Sequence, residues 1–411
     1  MLYQFHELNR TLLNPLIQWA EASSKLFTNP VSPLAHIPFA QRIAAGYELI
    51  YRLGKDYEKP QFGIKTVQVE GKSVGVFERV EEQRPFCRLI HFKKDLSDKK
   101  FSHLKQPAVL VVAPLSGHHA TLLRDTVRAL LSNHDVYITD WTDARMVPLS
   151  EGSFHLHDYI YYVQDFIRRL GPDLHVISVC QPTVPVLAAI SLMASADDPM
   201  LPKTMTMMGG PIDPRQSPTQ VNDLATKKPY SWFENHVIYS VPANYPGVGR
   251  KVYPGFLQHA GFIAMNPGRH AQSHWDFYMH LREGDNESAE EHRKFYDEYN
   301  AVLDMPAEYY LETIKTVFQE FRLPLGTWEV EGKPVRPQDI KTVALLTIEG
   351  EMDDISGLGQ TKAALDLCSG IPISRKQHYM AEKCGHYGIF SGRRWREIIC
   401  PKIGEFIRTY S

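Results

Sequence analysis

The chain has 411 residues, 43% hydrophobic and 22% charged, which is enough apolar material for a large core and excludes a disordered chain. Its formal net charge of −2 leaves no basic surface for nucleic acid or an anionic membrane. The five cysteines (Cys87, Cys180, Cys368, Cys384, Cys400) are scattered with no C-x-x-C pair, which argues against a disulfide framework and a structural zinc site and fits a reducing compartment.

Leu8, Leu12, Leu16 and Trp19 recur at helical spacing before Pro30 and Pro33, and a second helix is expected from about Pro38 to Lys55. The start, Met1 to Glu7, lacks the basic residues and apolar run of a signal peptide. No stretch approaches the ~18 apolar residues of a membrane span, so a cytoplasmic protein is expected. Residues 64–92 alternate like strands, with Glu70-Gly71-Lys72 as a hairpin turn.

From residue 107 the texture becomes strand–helix alternation. Ala108–Ala113 is a continuous apolar run, as in a strand covered on both faces, followed by a helix through Leu122, Val127 and Leu131. Strands are expected at Asp135–Asp140, His175–Val179 and Thr204–Met208, with helices near 155–170 and 182–195 between them. The alternation stops near Gly209-Gly210-Pro211 and resumes at Thr342–Ile348, with helices near 359–368 and 391–410. Between lie about 130 residues rich in aromatics, including Trp232, Phe233, Tyr253, Phe262, Trp275 and Phe277. Tyr310, Ile314, Val317, Phe318 and Phe321 mark an amphipathic helix there. The expected organisation is a helical N-terminal extension (1–63), an α/β core (64–209 and 341–411) with a mostly parallel sheet and helices on both faces, and a cap or lid insertion (210–340).

Ser178-Val179-Cys180-Gln181-Pro182 lies where a strand ends and a helix begins. In an α/β-hydrolase fold this turn is the nucleophile elbow, normally G-x-S-x-G, and Cys180 stands at the nucleophile position. Pro182 replaces the second glycine and is tolerated because the first turn of a helix needs no N–H there. A buried structural cysteine is the competing reading of the same turn. The required order of nucleophile, acid and histidine is met downstream by Asp353, next to Asp354, and by His386 between glycines in Cys384-Gly385-His386-Tyr387-Gly388. A solvated acidic turn is the competing reading of the acids.

In this arrangement a paired imidazolium favours the thiolate. His386 serves as base and then acid, and Asp353 orients it. The oxyanion hole is expected from the backbone N–H groups of Gln181 and of Ser116, in the loop after the first apolar strand. His118-His119, His155 with His157, and Glu290-Glu291-His292 are read as structural or solvated, since none has full metal-ligand spacing. No phosphate-binding glycine motif occurs, so no metal and no cofactor are expected.

The box Ser178–Pro182, the stretch Glu349–Gly357 and the loop Gly385–Gly392 together resemble the intracellular polyhydroxybutyrate (PHB) depolymerases of bacteria, and the likeness extends over essentially the whole chain. The resemblance implies cleavage of amorphous storage polyester through a cysteine acyl-enzyme, with Cys180, Asp353 and His386 matching the family's triad. The implied partner is a poly(3-hydroxybutyrate) granule or its oligomers. Water or coenzyme A as acceptor, monomer or oligomer as product, Asp353 or Asp354 as acid, and a homo-oligomeric state all stay open. A polyhydroxyalkanoate synthase-like acyltransferase shares the fold and the cysteine, but tends to carry Gly where this chain has Pro182. A non-catalytic granule-binding protein is the third reading. The absence of a linker and second domain further leads to the expectation that crystalline polymer is a poor substrate.

Overall fold

In the computed structural model, which describes residues 2–97, 101 and 104–411, strands β1 (Thr66–Val69) and β2 (Lys72–Gln83) form a hairpin. Its turn residues Glu70 and Gly71 both have positive φ, 47° and 75°, the twist that suits a two-residue hairpin. Seven more strands complete the sheet: β3 (Cys87–Lys94), β4 (Ala108–Val112), β5 (Asp135–Trp141), β6 (Leu174–Val179), β7 (Thr204–Met208), β8 (Ala344–Gly350) and β9 (Lys376–Ala381). The order is β1-β2-β3-β5-β4-β6-β7-β8-β9. Pairing is antiparallel up to β5 and parallel from there on.

The central strands are buried on both faces, and their side chains divide by the two-residue period. Leu110, Val112, Val176, Met205 and Met207 pack on one side with α4 (Leu156–Leu170) and α5 (Thr183–Ser195). Val109, Val111, Ile177, Val179 and Met208 pack on the other with α3 (Arg124–Leu131) and the C-terminal helix Cys400–Tyr410. This three-layer, doubly covered sheet is the α/β-hydrolase architecture expected above.

Several elements depart from expectation. Residues 359–368 form only a short helix, Ala364–Leu367, preceded by turns. The cause is Glu349 at the buried end of β8, whose carboxylate accepts the N–H groups of Gly359 (3.0 Å), Thr361 (2.8 Å) and Lys362 (2.8 Å) in place of helical carbonyls. The helix expected through Tyr310 and Phe321 is regular only over Ala307–Thr313, continues as a π-helical turn over Ile314–Gln319, and breaks at Phe321, whose φ is 49°. Strand β9 has no counterpart in the sequence reading; it is a polar edge strand without an alternating pattern.

The N-terminal helices form as predicted, α1 (Leu2–Thr28) and α2 (Ala40–Gly54), but the apolar stripe of α1 faces outward. Leu12 is 67% exposed and Trp19 54%. The helix instead beds on its small residues Ala20, Ser23 and Ser24, with Ser24 Oγ donating to the Ala44 carbonyl at 3.1 Å. Its first turn is tied down by the buried Tyr3, whose hydroxyl donates to Asp304 Oδ2 at 2.5 Å. Among the described residues no helix is long and apolar enough to cross a membrane.

Between β7 and β8 the chain is mostly helical: α6 (Gln220–Lys227), α7 (Tyr230–His236), α8 (Gly255–Met265), α9 (Pro267–Glu283), α10 (Asn286–Tyr299) and α11 (Ala307–Thr313). Helices α6, α8 and α11 contribute walls to a cavity at the C-terminal end of β6.

Glu349→Gln replaces one acceptor oxygen with a donor facing another donor. The expected loss is about 2 kcal/mol, typical of a charged acceptor of buried N–H groups, read from the guanidinium unfolding midpoint. An unchanged midpoint would show that the turn at 359–362 holds without it.

Candidate active site

At the end of β6 the backbone turns sharply into α5, and Cys180 sits at the turn with φ 67°, left-handed for a side chain with a Cβ. The turn is clamped from the neighbouring strand, since the Cys180 N–H donates to the Met208 carbonyl at 2.7 Å. Pro182, with φ −53° and ψ −21°, leads directly into the helix, and its carbonyl accepts the Val186 N–H at 2.9 Å. Ser178 is fully buried beneath the turn. Gly209 and Gly210 leave the room the elbow needs: a Cβ on Gly210 would overlap Thr183 Oγ1 and the Cys180 carbonyl, and one on Gly209 would reach Ile389, Asp353 and His386.

Of the five cysteines, Cys180 alone is not buried. Burial pushes the Cys368 and Cys400 thiols up to about 12 and Cys87 well above its ordinary value, so these three stay protonated and inert.

The loop after β8 and the loop after β9 bring Asp353 and His386 together: His386 Nδ1 lies 2.8 Å from Asp353 Oδ2. Because a carboxylate only accepts, Nδ1 carries the proton and Nε2 is left for the thiol side. The other carboxylate oxygen accepts the N–H groups of Ile355 (2.9 Å) and Ser356 (2.8 Å). Asp353 is 8% exposed, whereas its neighbour Asp354 points into solvent, so the pairing distinguishes the two acids that the sequence left open. Burial alone would lower the pKa of His386. The charges of Asp353 and Cys180, with a side-chain hydrogen bond to each, outweigh it and hold the imidazole well above its ordinary value.

Gln181 and Ser116 both line the cavity beside Cys180. The Gln181 side chain, 7% exposed, receives a hydrogen bond at its Oε1 from the hydroxyl of Tyr309 on α11, at 2.6 Å. Neither this bond nor the two glycines is readable from the sequence, because the partners are far apart along the chain and carry no spacing signal.

The cavity measures about 470 Å³ and is mostly apolar, with Leu224, Phe233, Tyr253, Phe262, Tyr310 and Phe318 among its walls. Its second histidine, His118, is pushed down to about 4 by burial, stacks on Phe262 at 4.9 Å, and bonds the Tyr299 carbonyl at 3.1 Å. His119 is lowered to about 3 by the same cause. Both are therefore neutral and buried rather than solvated. His292 lies against Phe277 at 4.2 Å and is likewise lowered to about 3, chiefly by burial. His155, His157 and Glu312 do place one ligand atom each within 4.8 Å of one another, the one group of metal-ligand composition among the described residues. Both ring nitrogens of His155 already have partners there, Glu312 at 2.6 Å and Ser153 at 2.9 Å.

Residues 209–411 match the family model described as PHB de-polymerase C-terminus. No curated protein matches the chain. Among solved structures, the chain is similar to the monoacylglycerol lipase of Paleococcus ferrophilus at 13% identity and a TM-score of 0.45, over 75% of this chain and 97% of that one. It is similar to 2-hydroxy-6-oxo-6-phenylhexa-2,4-dienoate hydrolase from Rhodococcus sp. strain RHA1 at 13% identity and a TM-score of 0.44, over 82% and 99% respectively. The sheet order and the strand–elbow–helix turn are those of an α/β-hydrolase fold, and its C-terminal residues 209–411 are similar to the C-terminal region of the PHB depolymerases.

Proposed function

We propose that the protein is an intracellular poly(3-hydroxybutyrate) depolymerase that works through a Cys180 acyl-enzyme, with His386 and Asp353 completing the triad and residues 210–340 acting as its cap. The observation that carries this reading is the part-exposed thiol on a left-handed elbow, coupled to a buried His386–Asp353 pair inside an apolar cavity.

The chemistry follows from the charges. The Cys180 thiolate attacks an ester carbonyl of the polymer, and the tetrahedral oxyanion is met by the backbone N–H groups of Gln181 and Ser116. The C–O bond breaks, and His386 Nε2 gives its proton to the leaving alkoxide. Thioester formation removes the thiolate charge, one of the influences that keep His386 protonated. The neutral imidazole can then take a proton from water, which attacks the thioester and restores the thiolate. Coenzyme A at the same step would release an acyl thioester instead of 3-hydroxybutyrate monomers or oligomers.

The substrate class is supported by the cavity. An uncharged, moderately apolar chain suits apolar walls, and a cleft of this size admits a mobile chain end more readily than a lattice. Drawing a chain out of a crystal would consume binding energy that the transition state needs.

Incubation with amorphous poly(3-hydroxybutyrate) granules, with and without coenzyme A, followed by mass analysis, tests the proposal. Soluble 3-hydroxybutyrate products are expected from the wild type, far fewer from crystalline powder at matched surface area, and none from Cys180→Ala. Cys87→Ala and Cys400→Ala should keep most of the activity. Full turnover by Cys180→Ala would end the proposal.

The acid is tested separately. Asp353→Asn is expected to lower kcat by roughly 10²–10⁴, because His386 loses the partner that sets its tautomer. Asp354→Asn is expected to stay within about threefold, as for a surface substitution away from the chemistry. Reversed results would move the acid by one residue.

The charge coupling has its own signature. Asp353 and Cys180 both raise the pKa of His386, so removing either should lower its titration midpoint, by NMR, in Cys180→Ala and in Asp353→Asn alike. A midpoint unmoved by Cys180→Ala would mean that the thiol and the imidazole are not coupled.

A further inference from the structure

One polar group in the cavity wall has no role in the mechanism above. The Gln181 amide is fixed at one end, where Oε1 accepts the Tyr309 hydroxyl. At the other end Nε2 is buried and has no hydrogen-bond partner. A buried amide donor without a partner is costly, so it is retained where something supplies an acceptor. The residue follows the nucleophile directly and lines the cavity, so an acceptor arriving there belongs to the bound acyl chain.

Tyr309 is itself suited to hold the amide. Its ring is fully buried, stacked against Tyr159 at 5.4 Å, and burial raises its hydroxyl far above the ordinary tyrosine range. The hydroxyl therefore keeps its proton, and by donating it to Gln181 Oε1 it turns the NH₂ end of the amide the other way.

A 3-hydroxyacyl unit joined to Cys180 carries a second oxygen, on its third carbon, beyond the carbonyl under attack. We infer that the Gln181 side-chain amide, oriented by Tyr309, donates a hydrogen bond to this 3-oxygen and so selects 3-oxygenated acyl groups over plain fatty acyl groups. The inference rests on the cysteine acyl-enzyme reading and adds a specificity site to it. Gln181 then acts twice, its backbone N–H on the oxyanion and its side chain on the acyl substituent. Tyr309 is a positioning residue, since it acts only through the amide.

The test uses two esters with the same leaving group, 4-nitrophenyl 3-hydroxybutanoate and 4-nitrophenyl butanoate, and compares the ratio of their kcat/KM values between variants. Intrinsic reactivity and any general loss of activity cancel in that comparison. Gln181→Met keeps the volume and the backbone N–H while removing the donor, and is expected to reduce the 3-hydroxy preference about tenfold. Tyr309→Phe leaves the amide free to rotate and is expected to reduce it about threefold. If Gln181→Met does not fold, Tyr309→Phe alone decides the matter. A ratio equal to the wild type's in every folded variant, whatever the absolute rates, overturns the inference. A shifted ratio in a protein that releases nothing from polyester granules would instead overturn the polymer reading and leave the acyl subsite standing.

Discussion

The left-handed backbone at Cys180 is the constraint around which the neighbouring strands are arranged. A non-glycine residue held there costs on the order of 1–3 kcal/mol and persists only where its surroundings over-determine it. Three strands supply that restraint. Strand β6 delivers the turn, and the Met208 carbonyl at the end of β7 accepts the Cys180 N–H. Gly210, just beyond, is itself held on both sides by the Thr361 hydroxyl, which accepts its N–H at 2.8 Å and donates to its carbonyl at 2.9 Å. Thr361 in turn is anchored through its own N–H to Glu349 on β8. The strain at one residue is thus distributed through a network that begins with a buried carboxylate and passes through two residues without side chains.

The electrostatics of the site are a contest between burial and charge. Burial inside apolar walls opposes an imidazolium, and it wins at His118 and His119, which have no carboxylate bonded to them. It loses at His386, where Asp353 is in direct contact and its second oxygen is satisfied by two backbone N–H groups. Histidines of similar burial within one cavity region therefore carry different protonation because one has a fixed anion and the others do not. In the proposed reaction this contrast confines proton traffic to a single group.

The sheet was legible in the sequence because its inner strands are covered on both faces and appear as unbroken apolar runs. The nucleophile, acid and histidine candidates were legible from their order along the chain. Choosing between Asp353 and Asp354 was not, since adjacent acids differ only in which way the turn presents them. The turn at 359–363 defeated periodicity because a side chain, Glu349, replaces the helical acceptors there. The stripe on α1 shows the opposite failure: Leu8, Leu12 and Leu16 correctly announced a helix, yet small residues on its other side decided which face would be covered. The contact between Gln181 and Tyr309 was out of reach, because 128 residues separate the partners and nothing in the elbow motif around Gln181 points to Tyr309.

The left-handed elbow also narrows the chemistry open to this scaffold over evolutionary time. A nucleophile drawn from the aliphatic hydroxyl and thiol side chains must be serine, threonine or cysteine. The positive φ at position 180 bears most heavily on a β-branched residue, whose second Cβ substituent crowds the adjoining backbone. Threonine is disfavoured on conformational grounds alone, before any question of reactivity arises. Drift between sulfur and oxygen is sterically cheap by comparison, since both unbranched side chains place one heavy atom beyond Cβ. Lineages built on this turn can thus exchange a soft nucleophile for a hard one while the backbone around it stays unchanged.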